Sequence, residues 1–146
     1  MITALAAAKY LLSLDNSEDG DVTSNLKLQK LLYYAQGMHL ALYGEPLFAE
    51  TIEAWQHGPV VPPVYHAFKK YAAGPIRVKD GESAKLPKRA RETLDEVHTV
   101  YGQFSAWRLR EMTHREPPWA DAYEDGVANI VITHKALKKY FKTRLV

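Results

Sequence analysis

One stretch limits the choice of fold more than any other. VTSNLKLQKLLYYAQGMHLALYG, Val22 to Gly44, places Leu28, Leu31, Leu32, Ala35, His39 and Leu42 at the i, i+3, i+4, i+7 spacing of one helical face. Leu26, Tyr33, Tyr34 and Leu40 occupy much of the remaining circumference. Between Leu26 and Tyr43 the only formal charges are Lys27 and Lys30, both in the first turns. A helix apolar nearly all round has no face to give to water, so other elements must enclose it. The expectation is a mainly α fold: a compact single-domain bundle of six or seven helices around a buried central helix at residues 24–43, with a small β element near 46–56. Thr23 or Ser24 can cap the start of that helix, and Gly44 supplies the left-handed residue a helix end commonly needs. Gly37 costs about 1 kcal/mol relative to alanine in a helix, which points to another backbone passing close by.

The flanking segments read as shorter elements. MITALAAAKYLLSLD lacks a basic leader and is interrupted by Lys9, so it is an amphipathic helix rather than a signal peptide. Asp15 to Asp21 form an acidic, turn-rich loop. LFAETIEAW, with Phe48, Ile52 and Trp55, reads as an extended region or hairpin. Pro59, Pro62 and Pro63 are expected to break any regular element across GPVVPP. Pro63 then opens a helix with Val64, Phe68 and Tyr71 along one side. Residues 74–87 read as a surface connector with a turn at Asp80 and Gly81. A helix from Lys88 to Phe104 carries Leu94, Val97, Val100, Tyr101 and Phe104 at core spacing. Ser105 caps the next helix, with Trp107 and Leu109 near its start and Met112 near its end. Pro117, Pro118 and Trp119 start a short turn. Thr133 caps the last helix, with Ile132 placed for a hydrophobic staple to Leu137 and with Tyr140, Phe141 and Leu145 on its apolar side.

Length and composition exclude several classes. At 146 residues the chain suits one domain, 1–146, with one core. It has no cysteine, so disulfides, thiolate metal sites and a cysteine nucleophile are excluded. No apolar run approaches the ~18 residues of a membrane span. A cytoplasmic protein without a membrane partner is therefore expected. Net charge is +2, but residues 1–60 carry three Lys/Arg against seven Asp/Glu, while residues 61–146 carry sixteen against ten. Such asymmetry can steer an acidic partner or a nucleic acid.

No catalytic spacing accompanies this. The six histidines, at 39, 57, 66, 98, 114 and 134, include neither an H-x-x-x-H pair nor H-E-x-x-H, and no metal or cofactor is expected. No serine lies in G-x-S-x-G, and both phosphate-cradling glycine loops are absent. A hydrolase would have to be built on His57, His114 and Glu116, converging within ~3 Å of one another. Lys135, Lys138, Lys139 and Lys142 make one basic face of the last helix and are the candidate nucleic-acid contacts. Cations near a helix C-terminus are favoured by the backbone dipole anyway, so a solvated face explains them as well and nucleic acid is not the expected partner.

EAWQHGPVVPPVYHAF, Glu53 to Phe68, is the remaining unusual segment. Proline fixes φ and withholds a donor, so GPVVPP holds its shape at small ordering cost on binding. Trp55 reads as core, and His57 and Gly58 as an exposed corner. Aromatic anchors on a rigid frame suit a protein interface.

Three segments together, KLQKLLYYAQGMHLALYGEPLF, EAWQHGPVVPPVY and LREMTHREPPWADAY, resemble the Panacea domain family, SocA-like and of the phage-associated GepA type. The resemblance runs from about Ala8 to Phe141. It implies an antitoxin of a bacterial or prophage pair that neutralises a cognate protein toxin by direct contact, or an adaptor that hands its toxin to a ClpXP-type protease. Neither role needs a reaction centre, and a homodimer is compatible with either. Some members carry a DNA-binding segment ahead of the domain, which is not expected of a chain beginning almost at the first helix. The resemblance transfers to Lys30, Gln36, Trp55, Gly58, Pro59, Val60, Tyr65, Thr113, His114, Pro118 and Trp119. With His57, and without Lys30 and Thr113, these are the candidate partner-binding residues.

Overall fold

The computed structural model describes residues 1–15, 23–77 and 85–145. At its centre is helix α2, Asn25–Tyr43. Ser24 opens it by accepting the Lys27 N–H, and Gly44 closes it at φ 73°. The other helices are α1 (Ala4–Ser13), α3 (Pro62–Phe68), α4 (Lys88–Tyr101), α5 (Ala106–His114), α6 (Pro117–Ala120) and α7 (His134–Lys142). Strands β1 (Ile52–Trp55), β2 (Gly58–Val60) and β3 (Val131–Ile132) form an antiparallel sheet in the order β2-β1-β3. The fold is thus mainly α, with 57% of the described residues helical, and a small sheet.

Burial of α2 follows from its sequence. Leu28, Leu31, Leu32, Tyr33, Tyr34 and Ala35 are all within the core, and α7, α4 and α5 pack along it. Its polar side chains are buried too, because the segments wrapping the helix carry backbone groups that need partners. An amide side chain offers both donor and acceptor. Gln36 Oε1 accepts the N–H of Leu47 at 2.8 Å and of Phe48 at 3.2 Å, while its Nε2 donates to Phe48 O at 2.8 Å. Gln29 Oε1 likewise accepts the Val61 N–H at 2.9 Å, and Asn25 Nδ2 donates to Tyr65 O at 3.0 Å. These side chains fix the segments on either side of the hairpin, including the start of α3.

Local signals set most helix ends. Thr3, Ser105 and Thr133 cap α1, α5 and α7 by accepting an N–H three residues on. Glu50 supplies a carboxylate to another free donor of α1, Ala4 N, at 2.8 Å. Ile132 and Leu137 are both buried at the start of α7, as a staple requires.

Several expectations need correction. GPV is a strand despite Pro59: β2 is an edge strand, where a missing N–H need not interrupt a ladder. Strand β3, two residues long, is too short for any periodicity to announce it. Helix α3 starts at Pro62, one residue earlier than expected, and runs into a 3-10 turn at Lys69–Tyr71. Helix α4 ends at Tyr101, before Phe104. Leu42 and Leu145, placed on apolar faces, are exposed, at 49% and 41%. The acidic loop beyond Asp15 and the Asp80–Gly81 turn lie outside the described residues; the described parts of 74–87 contain neither helix nor strand.

Gly37 is also explained differently. What approaches it is the ring of Phe141 on α7, which an added Cβ would overlap. Gly37→Ala gains about 1 kcal/mol of helix propensity but must displace a buried aromatic ring, and overpacking costs about 1–3 kcal/mol. Net destabilisation is expected in urea unfolding, partly relieved in the Gly37→Ala, Phe141→Leu double variant.

Candidate partner-binding surface

The hairpin corner is the centre of the site. Gln56 and His57 form a two-residue turn between Trp55 and its paired residue Gly58. Gly58 adopts φ 110°, and a Cβ there would lie 2.7 Å from Lys30 Cε and 3.0 Å from Thr113 Oγ1. Glycine is thus required both by the backbone and by the side chains beneath it. Lys30, fully buried, donates to Pro59 O at 3.2 Å. Burial, reinforced by the Arg110 guanidinium, pushes its amine down to about 7.

A second assembly locks the corner from the other side. Trp119 Nε1 donates to Trp55 O at 2.8 Å, across 64 residues of sequence. The Trp119 ring stacks on His114, with centroids 3.9 Å apart and planes 8° apart, and on Tyr123 at 4.6 Å and 13°. Lys30, Gly58, Thr113, His114 and Trp119 are therefore parts of one construction, although they come from three distant segments. Burial, with Arg110, Lys30 and His57 acting in the same direction, lowers the His114 pKa from its ordinary value. His114 Nε2 is buried without a hydrogen-bond partner among the described residues.

What faces outward is a smaller set. Trp55 and Tyr65 are half-buried, with rings edge-on at 5.0 Å and 69°. Trp55 is thus not the core residue expected. His57 is exposed, and its Nδ1 accepts from Arg110 Nε at 3.1 Å. Arg110 also lies over the exposed Trp107 ring, 4.5 Å from its centroid. Together with Lys69 and the floor residues Gln29 and Lys30, these aromatic groups bound a groove of about 660 Å³.

The remaining candidates lie inside. Gln36 is fully buried under the 47–48 segment, and Gly58, Pro59, Val60, Pro118 and Trp119 are buried as well. Gly58 is therefore not part of an exposed corner. These residues hold shape; in this conformation they offer no side chain to an incoming surface, apart from the walls Val60 and Pro118 contribute to grooves. The outer residues Trp107, Arg110 and Lys69 were missed. A single Trp–Arg pair at i, i+3 on α5 was their only sequence signal.

The four lysines of α7 do not act as one stripe. Lys135 and Lys139 border a second groove, of about 790 Å³, between α6, β3 and α7. Lys138 Nζ instead reaches toward Gly44 at the C-terminus of α2, where the helix dipole favours a cation. Lys142 is exposed.

His57, His114 and Glu116 do not assemble the expected acid–base set. The His114 ring lies flat on Trp119, while Glu116 turns toward α2 and accepts from the hydroxyls of Tyr33 and Tyr34, each at 2.9 Å. Among the described residues no group of three His, Asp or Glu side chains is arranged to hold a metal ion, and no helix is long and apolar enough to cross a membrane. Burial pushes the Glu116 carboxyl up to about 7, against the lowering effects of Tyr34, Tyr33 and Arg144. A carboxyl with a raised folded-state pKa contributes stability that is complete below about 4.5 and is lost as pH rises through about 7. That contribution is at most about 3 kcal/mol. In Glu116→Gln this fall between pH 4.5 and 7 is expected to disappear from the urea-midpoint profile.

Comparison with known proteins gives two findings. The profile of the family described as antitoxin SocA-like, Panacea domain, matches residues 28–120, which contain every residue of the corner and of its lock except Tyr123. Antitoxin SocA of Caulobacter vibrioides (strain NA1000 / CB15N) is 36% identical over 140 residues, covering 88% of this chain and 71% of that protein. No solved structure matches.

Proposed function

The chain belongs to the SocA-like antitoxin family defined by the Panacea domain, and from that membership we propose that it neutralises a cognate protein toxin by direct binding in the cytoplasm, with the groove beside the hairpin corner as the contact surface. The observation carrying this reading is the aromatic set lining the groove, half-buried Trp55 and Tyr65 with exposed Trp107, mounted on a corner whose backbone is held by buried residues. Aromatic groups that are already positioned lose little freedom on binding, which favours affinity. No bond need be made or broken for such an action. The test is co-expression with the product of the adjacent reading frame. That product alone should arrest growth, this chain should relieve the arrest, and the two should co-purify. A harmless neighbour, or relief without a complex, would reject the proposal.

The adaptor role is a second reading, favoured by the separate groove between α6 and α7. An adaptor must hold toxin and protease together, which takes two surfaces. ATP-dependent loss of the toxin should then require both this chain and a ClpXP-type protease. Loss that is equally fast without this chain would exclude that role.

A further inference from the structure

The groove beside the corner has an imbalance of charge. Lys30 in its floor and His57 and Lys69 at its edge are basic, and none of the residues bounding it is acidic. Arg110, which contacts both His57 and Trp107, donates to a ring nitrogen of His57 and not to a carboxylate. The salt bridges among the described residues involve other cations, Lys88, His98 and Arg108. Glu53 is close in sequence, but its carboxylate accepts the Trp55 indole N–H at 3.0 Å. Arg110 acts on Lys30, and Arg110, Lys30 and His57 act on His114, each lowering the affected group's pKa, as groups close in space do. The corner therefore gathers basic side chains with no carboxylate partner among the described residues.

A cation kept from water without a partner is unfavourable; it is relieved by giving up its proton or by an opposite charge supplied from outside the chain. A carboxylate seated in an apolar-walled groove would supply that charge, since charge pairs shielded from water interact more strongly than on an open surface. Trp55, Tyr65 and Trp107 supply such walls. A nucleic-acid backbone fits less well, because its phosphates track exposed cations along a strip, whereas Lys30 is fully buried.

We infer that this groove receives an acidic side chain, aspartate or glutamate, on an exposed segment of the bound protein, with Arg110 and His57 in contact with it and Lys30 acting from beneath. The inference deepens the reading of the groove as the toxin-binding surface and rests on it only for the identity of the bound protein.

Two measurements on the full chain test it. In the first, a blocked pentapeptide alternating leucine and glutamate is titrated while the indole N–H signals of Trp55 and Trp107 are followed by NMR. Those signals should shift and saturate in the ~mM range expected of so short a ligand, and the glutamine version should leave them in place. Lys30→Met and Arg110→Glu should each weaken the peptide about fivefold or more, as removal or reversal of a facing charge does. Lys30→Met matters because it removes the charge without endangering the fold. Equal binding of both peptides overturns the inference. So do shifts confined to the Lys135 and Lys139 groove, displacement of the peptide by a lower concentration of an oligothymidylate, or self-association through the groove that Arg110→Glu abolishes.

In the second, the neighbouring-gene product is bound to the native chain and to two charge reversals. Arg110→Glu should weaken the complex about tenfold and lessen its salt dependence, while Lys139→Glu should stay within about twofold. The opposite ranking overturns the inference. A product that does not bind the native chain rejects the toxin-binding reading, and the peptide titration still decides the groove.

Discussion

Lys30→Met is expected to make the protein more stable, by about 2–4 kcal/mol at pH 7. Among the described residues Lys30 is the only large, fully buried side chain that carries an amine, and its one hydrogen bond there is to Pro59 O. With the folded-state pKa lowered from 10.5 to about 7, the unfolded chain holds the proton across a window where the folded chain gives it up. More protons bound to the unfolded state means that stability rises with pH. The destabilisation is therefore full below about pH 7 and fades as pH approaches 10.5. A shift of this size corresponds to about 4–5 kcal/mol at low pH, from which the loss of one hydrogen bond, about 1 kcal/mol, must be subtracted in the methionine variant. Urea unfolding of both proteins from pH 6 to 10 checks it. The two curves should converge as pH rises; a parallel offset, or a less stable variant, would show that the buried amine is not the cause.

The second large effect is a loss. Trp119→Ala removes a buried ring stacked between His114 and Tyr123, together with the donor to Trp55 O. Truncation of a buried tryptophan costs about 3–5 kcal/mol. Trp119→Phe keeps an aromatic ring and loses the hydrogen bond, so a cost of about 1–2 kcal/mol is expected. The two variants should separate further at the surface. With alanine, the His57 turn loses its support from α6, and the Trp55 indole signal should broaden or move in the folded protein; with phenylalanine it should stay near its native position. Equal destabilisation by both variants would mean that the stack contributes nothing beyond the hydrogen bond.

The Glu116 and Lys30 windows meet near pH 7, with opposite slopes. Both groups are buried charges whose neutral forms suit the folded state better. Neutral pH is therefore where these two residues together contribute least to stability.

How much of this could be read in the chain beforehand depends on the range of the interaction. Helix α2 was legible with its ends, because Ser24 and Gly44 satisfy backbone groups within four residues of themselves and the apolar circumference needs no knowledge of what surrounds it. The same holds for the caps Ser105 and Thr133. Three separated segments marked the family without any hint of how they touch. The tertiary structure alone decided that Lys30 lies under Gly58, that Trp119 holds the backbone of Trp55, and that Glu116 turns to Tyr33 and Tyr34, 83 and 82 residues away. It also decided which aromatic groups remain outside: Trp107 is exposed, while Trp119 next to two prolines is buried. Caps and periodicity are properties of one turn of chain. Burial of a charge, stacking of rings and the sign of a groove arise only when distant segments displace the water between them.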